Sequence, residues 1–171
     1  MTAAGITAIS VYFPEQVREN DWWRQAAPEF VAKLEQRVGA QVWKPATDRN
    51  PWQAAMAPYL DDPFRGSQQR RVLAPGEDAH AMEAAAAQRL LDAAGLTPAD
   101  IDLVLVSCLF PDQYVLGDAI GLADRMGFTC PCYNLESACG VGVGDVVMGC
   151  ALVEAGRARR VLVITACTYS R

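Results

Sequence analysis

The fold is decided by an apolar run in the middle of the chain, Ile101-Asp-Leu-Val-Leu-Val-Ser-Cys108. Polar residues hardly interrupt it, and such a run is typical of a parallel strand that is buried on both faces of a sheet. A helix is predicted immediately before it, over residues 77–94, and Thr97-Pro-Ala-Asp100 predicts the turn between the two. Helix, turn and buried strand together indicate an α/β protein.

The helix over residues 77–94 is predicted from the spacing of its apolar residues. One face carries four of them, Met82, Ala86, Leu90 and Ala93. Gly95 follows directly and is the usual signal for a helix end, because glycine adopts the left-handed backbone conformation without strain.

The same alternation continues along the second half of the chain. Helices are predicted over residues 116–126 and 140–155, and strands over residues 132–136 and 160–166. Because helices alternate with apolar strands, we predict an α/β/α layered fold with a mainly parallel mixed sheet.

The first third of the chain has a weaker pattern. A strand is predicted over residues 5–13 and a helix over residues 20–38. The apolar residues that recur at helical spacing in that helix are Phe30, Leu34 and Val38. Residues 39–76 contain several prolines and are predicted to form an irregular excursion or lid with one short helix near residues 51–60. We predict one domain over residues 1–171.

Composition excludes several classes of protein. The chain has 171 residues, of which 51% are hydrophobic and 20% charged, and this indicates a packed globular protein. The net charge of −5 predicts no binding to nucleic acid, and the short basic clusters Arg70-Arg71 and Arg157-Ala-Arg-Arg160 are more typical of solvated helix ends. No apolar stretch approaches the roughly 20 residues that span a bilayer, and no secretion signal is visible. We therefore expect no membrane association and a cytoplasmic location.

The cysteines and the single histidine predict no metal site. Cys130-Pro-Cys132 has one residue between its thiols, which is too tight for the usual zinc spacing, and no second Cys/His pair follows. Most of the six cysteines are expected to be small buried apolar residues. His80 is expected to be a surface residue or a helix-start residue, without a catalytic role.

Cys139 lies where a predicted strand gives way to a predicted helix, in Ser137-Ala-Cys139-Gly140. At such a junction the free amides of the first helical turn face incoming negative charge, and the helix dipole favours a thiolate. The Cys139 amide is also placed to donate to an oxyanion. Gly140, Gly142 and Gly144 indicate a close approach of a substrate or of another chain. The alternative is that Cys139 is a small buried residue beside a tightly packed helix, and spacing alone leaves both interpretations open.

Several segments in the same order carry a family resemblance. They are Gly66-Ser-Gln-Gln-Arg70 followed by Ala74-Pro75, the helix–turn–strand over residues 84–106, Pro111-Asp112, Ser137-Ala-Cys139-Gly140 and the strand over residues 159–171. With these segments the chain resembles the N-terminal half of β-ketoacyl-acyl-carrier-protein synthase III and its relatives in the thiolase superfamily. Residues 39–64 are longer and more divergent.

The resemblance implies an activity and a set of site residues. An acyl group would pass from a coenzyme A or acyl-carrier-protein thioester to Cys139, and then to a malonyl-type carbanion or to an oxygen or nitrogen nucleophile. Tyr114 or Val115 would stand at the gate of the acyl pocket, and Gly140 would contact the substrate. No bound cofactor is implied, and the coenzyme A contacts cannot be assigned. The role of Glu136, just before the motif, is open.

In the family, a histidine and an asparagine come from the second half of the fold. The resemblance therefore implies a second polypeptide that carries this half. Two such pairs would form a dimer, and an acyl carrier protein is a possible transient partner. The alternative is a non-catalytic structural partner of an active thiolase-like subunit. A cysteine hydrolase on another α/β fold is disfavoured because no histidine follows Cys139.

Overall fold

A computed structural model of the chain describes residues 3–40 and 50–169. The chain divides into two compact units. The smaller unit is Gln16–Val72, and the larger unit comprises Met1–Glu15 and Leu73–Arg171. The excursion predicted over residues 39–76 thus lies mostly within a unit that begins much earlier, at Gln16, and residues 41–49 lie outside the described part of the chain.

The smaller unit contains a pair of short strands and three helices. Strands β1 (Val17–Glu19) and β2 (Gln69–Arg71) pair antiparallel. The helices are α1 (Asn20–Ala26), α2 (Pro28–Ala40) and α3 (Pro51–Met56), and a 3₁₀ turn, Ala57–Tyr59, continues α3. The short helix predicted near residues 51–60 is confirmed. Asn50 begins it with a capping box, since its side chain accepts from the Gln53 amide while the Gln53 side chain accepts from the Asn50 amide.

The single helix predicted over residues 20–38 is wrong, because the chain breaks between α1 and α2. Ala27 has φ −140° and ψ 57°, and proline at position 28 disfavours the helical conformation for the residue that precedes it. Among the α2 side chains up to residue 38 that the structure describes, Val31 is buried, whereas Phe30, one of the apolar residues at helical spacing, is exposed.

The larger unit alternates helices and strands as predicted. Its elements are α4 (Ala79–Ala94), β3 (Leu103–Leu109), α5 (Asp118–Met126), β4 (Cys132–Asn134), α6 (Val141–Glu154) and β5 (Val161–Cys167). The three strands form one parallel sheet in the order β4-β3-β5, so that the decisive apolar run stands in the middle. In register, Val104 lies beside both Cys132 and Leu162. The α/β class is confirmed.

Side chains of β3 and β5 alternate between two helical layers. Val104 and Val106 of β3 and Leu162 and Ile164 of β5 share one apolar core with α4 and α5. On the other face lies α6, where Gly149 brings the helix backbone against Val161 and Val163: a Cβ at Gly149 would stand 3.3 Å from Val161. The layers are therefore α/β/α. The predicted burial of the run over residues 101–108 on both faces holds for most of β3, whereas burial alternates along β5.

Helix α4 begins two residues later than predicted and buries a different face. The Asp78 side chain caps it by accepting from the Ala81 amide at 2.6 Å, and Gly95 ends it with φ +64°. The buried positions are Ala79, Glu83, Ala87 and Leu91, of which the last three each follow a residue of the predicted apolar face by one position. A carboxylic acid thus occupies a core position, and apolar spacing could not reveal it.

The strand predicted over residues 5–13 is also wrong, since no residue of this segment belongs to a strand in the structure. The segment is nevertheless ordered by side-chain contacts. Tyr12 donates to the Glu77 carboxylate at 2.5 Å, and the Arg89 guanidinium lies 5.0 Å from the Tyr12 ring. Ile9, Val11 and Phe13 point away from these contacts and are exposed. Alternation in a sequence predicts a two-sided extended segment, but a strand also needs a neighbouring strand to pair with.

None of the helices in the described ranges, 3–40 and 50–169, combines the length and apolar character needed to cross a bilayer.

Candidate functional site

Cys139 lies in a short 3₁₀ turn, Ala138–Gly140, that joins the segment after β4 to α6. The thiol is free and the residue is exposed. No side chain caps α6 at Gly140, and the 3₁₀ turn continues into the helix, since the Val141 amide donates to the Ala138 carbonyl. The predicted strand–helix junction is confirmed, and the alternative of a buried small residue is not what the structure shows.

The residue before the cysteine has an unusual backbone conformation. Ala138 has φ +45°, and in the described residues only Arg65 and Phe110 are other non-glycine residues with positive φ. The left-handed region costs a residue with a Cβ about 1–2 kcal/mol. Strain of this kind persists where surrounding structure imposes it and is frequent at functional sites. Here it turns the chain so that Cys139 stands exposed in front of α6.

A buried polar contact fixes α6 on the sheet. Asp145 of α6 is 1% exposed, and its carboxylate accepts a hydrogen bond of 2.7 Å from the Ser107 hydroxyl on β3. The Thr165 hydroxyl lies 3.3 Å from the same Ser107 oxygen. Sequence reasoning missed Asp145, although an acid in the middle of an apolar glycine-rich helix was a visible signal. The contact holds the helix that carries Cys139 at its N-terminus.

Replacing Ser107 by alanine is therefore expected to lower the free energy of unfolding by about 1–3 kcal/mol, because the Asp145 carboxylate would remain buried without its donor. Urea denaturation of Ser107→Ala, Asp145→Ala and the double variant measures the coupling. The double variant should cost less than the sum of the two single variants. Strict additivity would show that the hydrogen bond contributes nothing.

The predicted substrate-binding residues Tyr114 and Val115 lie on the loop between β3 and α5. Both are exposed, Val115 to 95%. Tyr114 borders a cavity of about 220 Å³ together with Phe110, Thr168 and Tyr169, at the carboxyl ends of β3 and β5. Ligands of parallel sheets bind at this edge. Gly140, the third predicted contact, lies in the Cys139 turn, so the predicted residues occupy two places, the loop and the turn.

Asn134 anchors the end of this loop to β4. Its side-chain amide donates to the Leu116 carbonyl at 2.9 Å, and its oxygen accepts from the Ala119 amide at 2.9 Å. Gly117 lies directly against it with φ +64°. The loop therefore ends in a fixed turn, from which Tyr114 and Val115 project.

A second group of titratable side chains lies where α4, α5 and β3 meet. Glu83 and Asp118 are each 1% exposed. Burial, and then the neighbouring charge of Asp118, raise the pKa of Glu83 to about 9. Burial likewise raises the pKa of Cys108, which is partly buried beside them. At neutral pH the Glu83 carboxyl thus stays protonated unless a positive charge is bound next to it.

His80 belongs to this group. It is the second residue of α4, as a helix-start position requires, but the expectation of a surface side chain is wrong, because only 14% of the side chain is exposed. Its Nε2 lies 3.4 Å from Asp118 and its Nδ1 lies 3.6 Å from Asp112. A Cβ at Gly121 would stand 2.5 Å from Nε2, so glycine at this position leaves the room that the imidazole fills.

The other residues left open by the sequence have simple environments. Cys130 and Cys132 are partly buried, and burial raises the pKa of both thiols. Glu136 is exposed, which agrees with an outward-facing carboxylate.

Several known proteins are similar to this chain in sequence or in fold. No family model matches the chain. The β-ketoacyl-acyl-carrier-protein synthase III of Agrobacterium fabrum is 37% identical over 107 residues, which are 62% of this chain and 33% of the relative. A solved 3-oxoacyl-acyl-carrier-protein synthase III superposes with a TM-score of 0.71 at 27% identity, over 99% of this chain and 43% of the other. The chain is thus similar to part of synthase III proteins and shares their thiolase-like α/β fold, and it spans less than half of the solved chain.

Two further proteins show the same partial similarity. The synthase III of Neisseria meningitidis serogroup C is 34% identical over 104 residues, or 60% of this chain and 32% of the relative. The tetronic acid condensing enzyme AbyA1 superposes with a TM-score of 0.64 at 26% identity, over 96% of this chain and 43% of the other. The matches thus cover about a third of the curated relatives and less than half of the solved chains. The family resemblance predicted from the motifs is confirmed.

Proposed function

We propose that this synthase III-like half accepts acyl groups on Cys139 within an acyltransferase of fatty-acid or polyketide type biosynthesis. The observation that carries the proposal is the exposed thiol on a strained turn in front of the uncapped N-terminus of α6. The names of the relatives, synthases of β-ketoacyl groups, support the reaction class.

The chemistry follows from the position of the thiol. The Cys139 sulfur attacks the carbonyl carbon of an acyl thioester, the carbonyl oxygen becomes an oxyanion, and the thiol of coenzyme A or of an acyl carrier protein leaves. The backbone amide of Cys139, in the turn before α6, is the proposed donor to this oxyanion. In the second step, decarboxylation of a malonyl-type thioester supplies a carbanion, which takes the acyl group and releases the Cys139 thiolate. No bound cofactor is needed for either step.

The general acid and base of the second step are proposed to come from a complementary half that carries histidine and asparagine, whichever polypeptide contains it. Exposed apolar surface supports this part of the proposal. On α6, Val143 and Val147 are 75% and 64% exposed, one helical turn apart. Large exposed apolar surfaces of this kind mark interaction sites. Two such pairs would form a dimer, and an acyl carrier protein is the expected visiting partner.

The loop between β3 and α5 is the proposed wall of the acyl pocket. Tyr114 borders a cavity, Val115 projects from the same loop, and Gly140 leaves space beside the nucleophile. Because Val115 is almost completely exposed, we propose that it contributes to a neighbouring copy's pocket in the assembled enzyme.

A second candidate function is a non-catalytic partner that stabilises an active thiolase-like subunit. One observation favours it. The single histidine of the chain, His80, is held between Asp112 and Asp118 beneath α4 and α5, on the other face of the sheet from α6. This histidine is therefore unsuited to act as the base for Cys139.

Intact-protein mass spectrometry distinguishes the two functions. The chain, in complex with its complementary half, is exposed to acetyl-, butyryl- and octanoyl-coenzyme A and to the corresponding acyl carrier proteins. We expect the mass of one acyl group to appear on the wild type and on Cys167→Ala, and to be absent from Cys139→Ala. Cys167 is the matched control because it is the other exposed free cysteine of the described residues. No acyl mass on the wild-type complex, or an undiminished one on Cys139→Ala, would contradict the catalytic proposal.

A further inference from the structure

Three donor atoms of different kinds converge between α4, α5 and β3. Glu83 contributes a carboxylate oxygen, Cys108 a sulfur and Asp118 a carboxylate oxygen, and these atoms all lie within 4.8 Å of one another. A helix, a strand and a second helix each supply one of them. The grouping exists only in the fold, because 25 and 10 residues separate the three positions in sequence.

Several carboxyl oxygens of this group lack hydrogen-bond partners, whereas the Cys108 thiol donates to the Leu109 carbonyl and Oδ1 of Asp118 accepts from the Asp112 amide. Both carboxyl oxygens of Glu83 and Oδ2 of Asp118 are buried without a hydrogen-bond partner. Each unsatisfied group of this kind costs about 1–3 kcal/mol, and most buried polar atoms in proteins are paired. Among the ion pairs of residues 3–40 and 50–169, no lysine or arginine reaches either carboxylate.

The nearest remaining donor is His80. Its Nε2 is also buried without a hydrogen-bond partner, and it lies 3.4 Å from Oδ1 of Asp118. His80 and Glu83 are three residues apart on α4, so both side chains face the same side of the helix. Three side chains, Glu83, Asp118 and His80, thus carry four buried polar atoms without a hydrogen-bond partner.

We propose that Glu83, Cys108, Asp118 and Nε2 of His80 bind one divalent cation of the zinc class. Sulfur and imidazole nitrogen beside carboxylate oxygen is a ligand set that zinc accepts, whereas magnesium and calcium select oxygen ligands alone. The cation would neutralise the two carboxylates and satisfy the unpartnered atoms together. Binding releases the protons of the Glu83 carboxyl and the Cys108 thiol to solvent.

The distances are compatible with such a site. Zinc–ligand bonds of roughly 2.0–2.3 Å in a tetrahedron place ligand atoms roughly 3.3–3.8 Å apart. The donor atoms of Glu83, Cys108 and Asp118 lie up to 4.8 Å apart, so these side chains must adjust by on the order of 1 Å. Nε2 of His80, which lies 3.4 Å from Oδ1 of Asp118, must move toward them. Four protein ligands leave no open position, so the site is structural and not hydrolytic.

Asp112 lies beside the other ring nitrogen of His80. Its Oδ2 lies 3.6 Å from Nδ1 of His80, the nitrogen that faces away from the pocket, and accepts from the Ala79 amide at 2.7 Å. Histidine ligands of zinc commonly donate their second nitrogen to a carboxylate, which fixes the orientation of the ring. Asp112 would orient His80 and at the same time cap α4. The inference does not depend on the proposed acyl transfer, because it concerns other residues on the opposite face of the sheet.

Elemental analysis and cobalt spectroscopy test the site. The protein is purified in its natural assembly without a chelator and without a polyhistidine tag. We expect bound zinc in a 1:1 ratio to the chain, lost from Glu83→Gln and from Asp118→Asn and retained by Glu154→Gln, an exposed acid of α6. Exchange with cobalt chloride should give a thiolate-to-cobalt absorption band in the near ultraviolet. This band should vanish in Cys108→Ser and persist in Cys167→Ser.

The cobalt spectrum of the wild type decides the matter even where a variant fails to fold. Folded wild-type protein that takes up neither zinc chloride nor cobalt chloride would overturn the proposal. A cobalt spectrum without the thiolate band, or one unchanged by Cys108→Ser, would overturn it as well.

Discussion

Raising the pH in the presence of a chelator is expected to lower the free energy of unfolding by several kcal/mol, through Glu83. Burial and Asp118 raise the pKa of this carboxyl from 4.5 to about 9 in the folded chain. The folded protein therefore holds a proton that the unfolded chain releases. The stability contribution is complete below pH 4.5 and is lost as the pH rises toward about 9. Each pKa unit corresponds to about 1.4 kcal/mol, which sets the scale of the loss.

Urea denaturation across this pH range measures the effect. Glu83→Gln keeps the shape of the protonated carboxyl and cannot ionise, so its stability should vary much less with pH. Glu154→Gln, an exposed acid on α6, should follow the wild type. A wild-type slope that survives in Glu83→Gln would assign the pH dependence to other groups.

Replacing Gly117 by alanine is expected to destabilise the larger unit and to disorder the loop that carries Tyr114. Two costs combine at this position. Gly117 has φ +64° and ψ −176°, a backbone region that is almost exclusive to glycine, where a side chain adds about 1–3 kcal/mol of strain. An added Cβ would also stand 2.4 Å from the Asn134 side chain, which cannot move without losing its two hydrogen bonds to the loop. Thermal or urea unfolding should show a loss of about 3–5 kcal/mol, in the range of severe core substitutions.

Gly76→Ala separates the two costs. Gly76 has φ +83°, yet nothing lies within 4 Å of the position of its added Cβ. It should therefore show the backbone strain alone. If Gly117→Ala costs no more than Gly76→Ala, the contact with Asn134 does not hold the loop.

The elements that sequence reasoning predicted best are those with local signals. The apolar run of β3 identified a central parallel strand, because only a strand covered on both faces lacks polar alternation. Gly95 and Gly127 marked the ends of α4 and α5, and both have the left-handed conformation of helix ends. The position of Cys139 between β4 and α6 followed from the same alternation.

The remainder depends on neighbours that are distant in sequence. The prediction of the buried face of α4 was wrong by one residue, because the acid Glu83 occupies a core position. The polar side chains next to it, Cys108 and Asp118, come from other elements. The strand predicted over residues 5–13 failed because propensity describes one segment and pairing requires two. In the site, the left-handed backbone of Ala138 and the Ser107–Asp145 hydrogen bond have no signature in local spacing.

The two adjacent polar residues of β3 have a consequence for the way the sheet assembles. Ser107 faces Asp145 beneath α6, and Cys108 faces Glu83 and Asp118 on the opposite side. A slip of one residue in the pairing of β3 with β5 would send every side chain of the strand to the wrong layer. It would take the Ser107 hydroxyl away from Asp145 on one face and Cys108 away from Glu83 and Asp118 on the other. Ser107 and Cys108 thus each make a shifted register of β3 unfavourable, one on each face of the sheet. The apolar residues of the strand, which resemble one another, would discriminate less between registers.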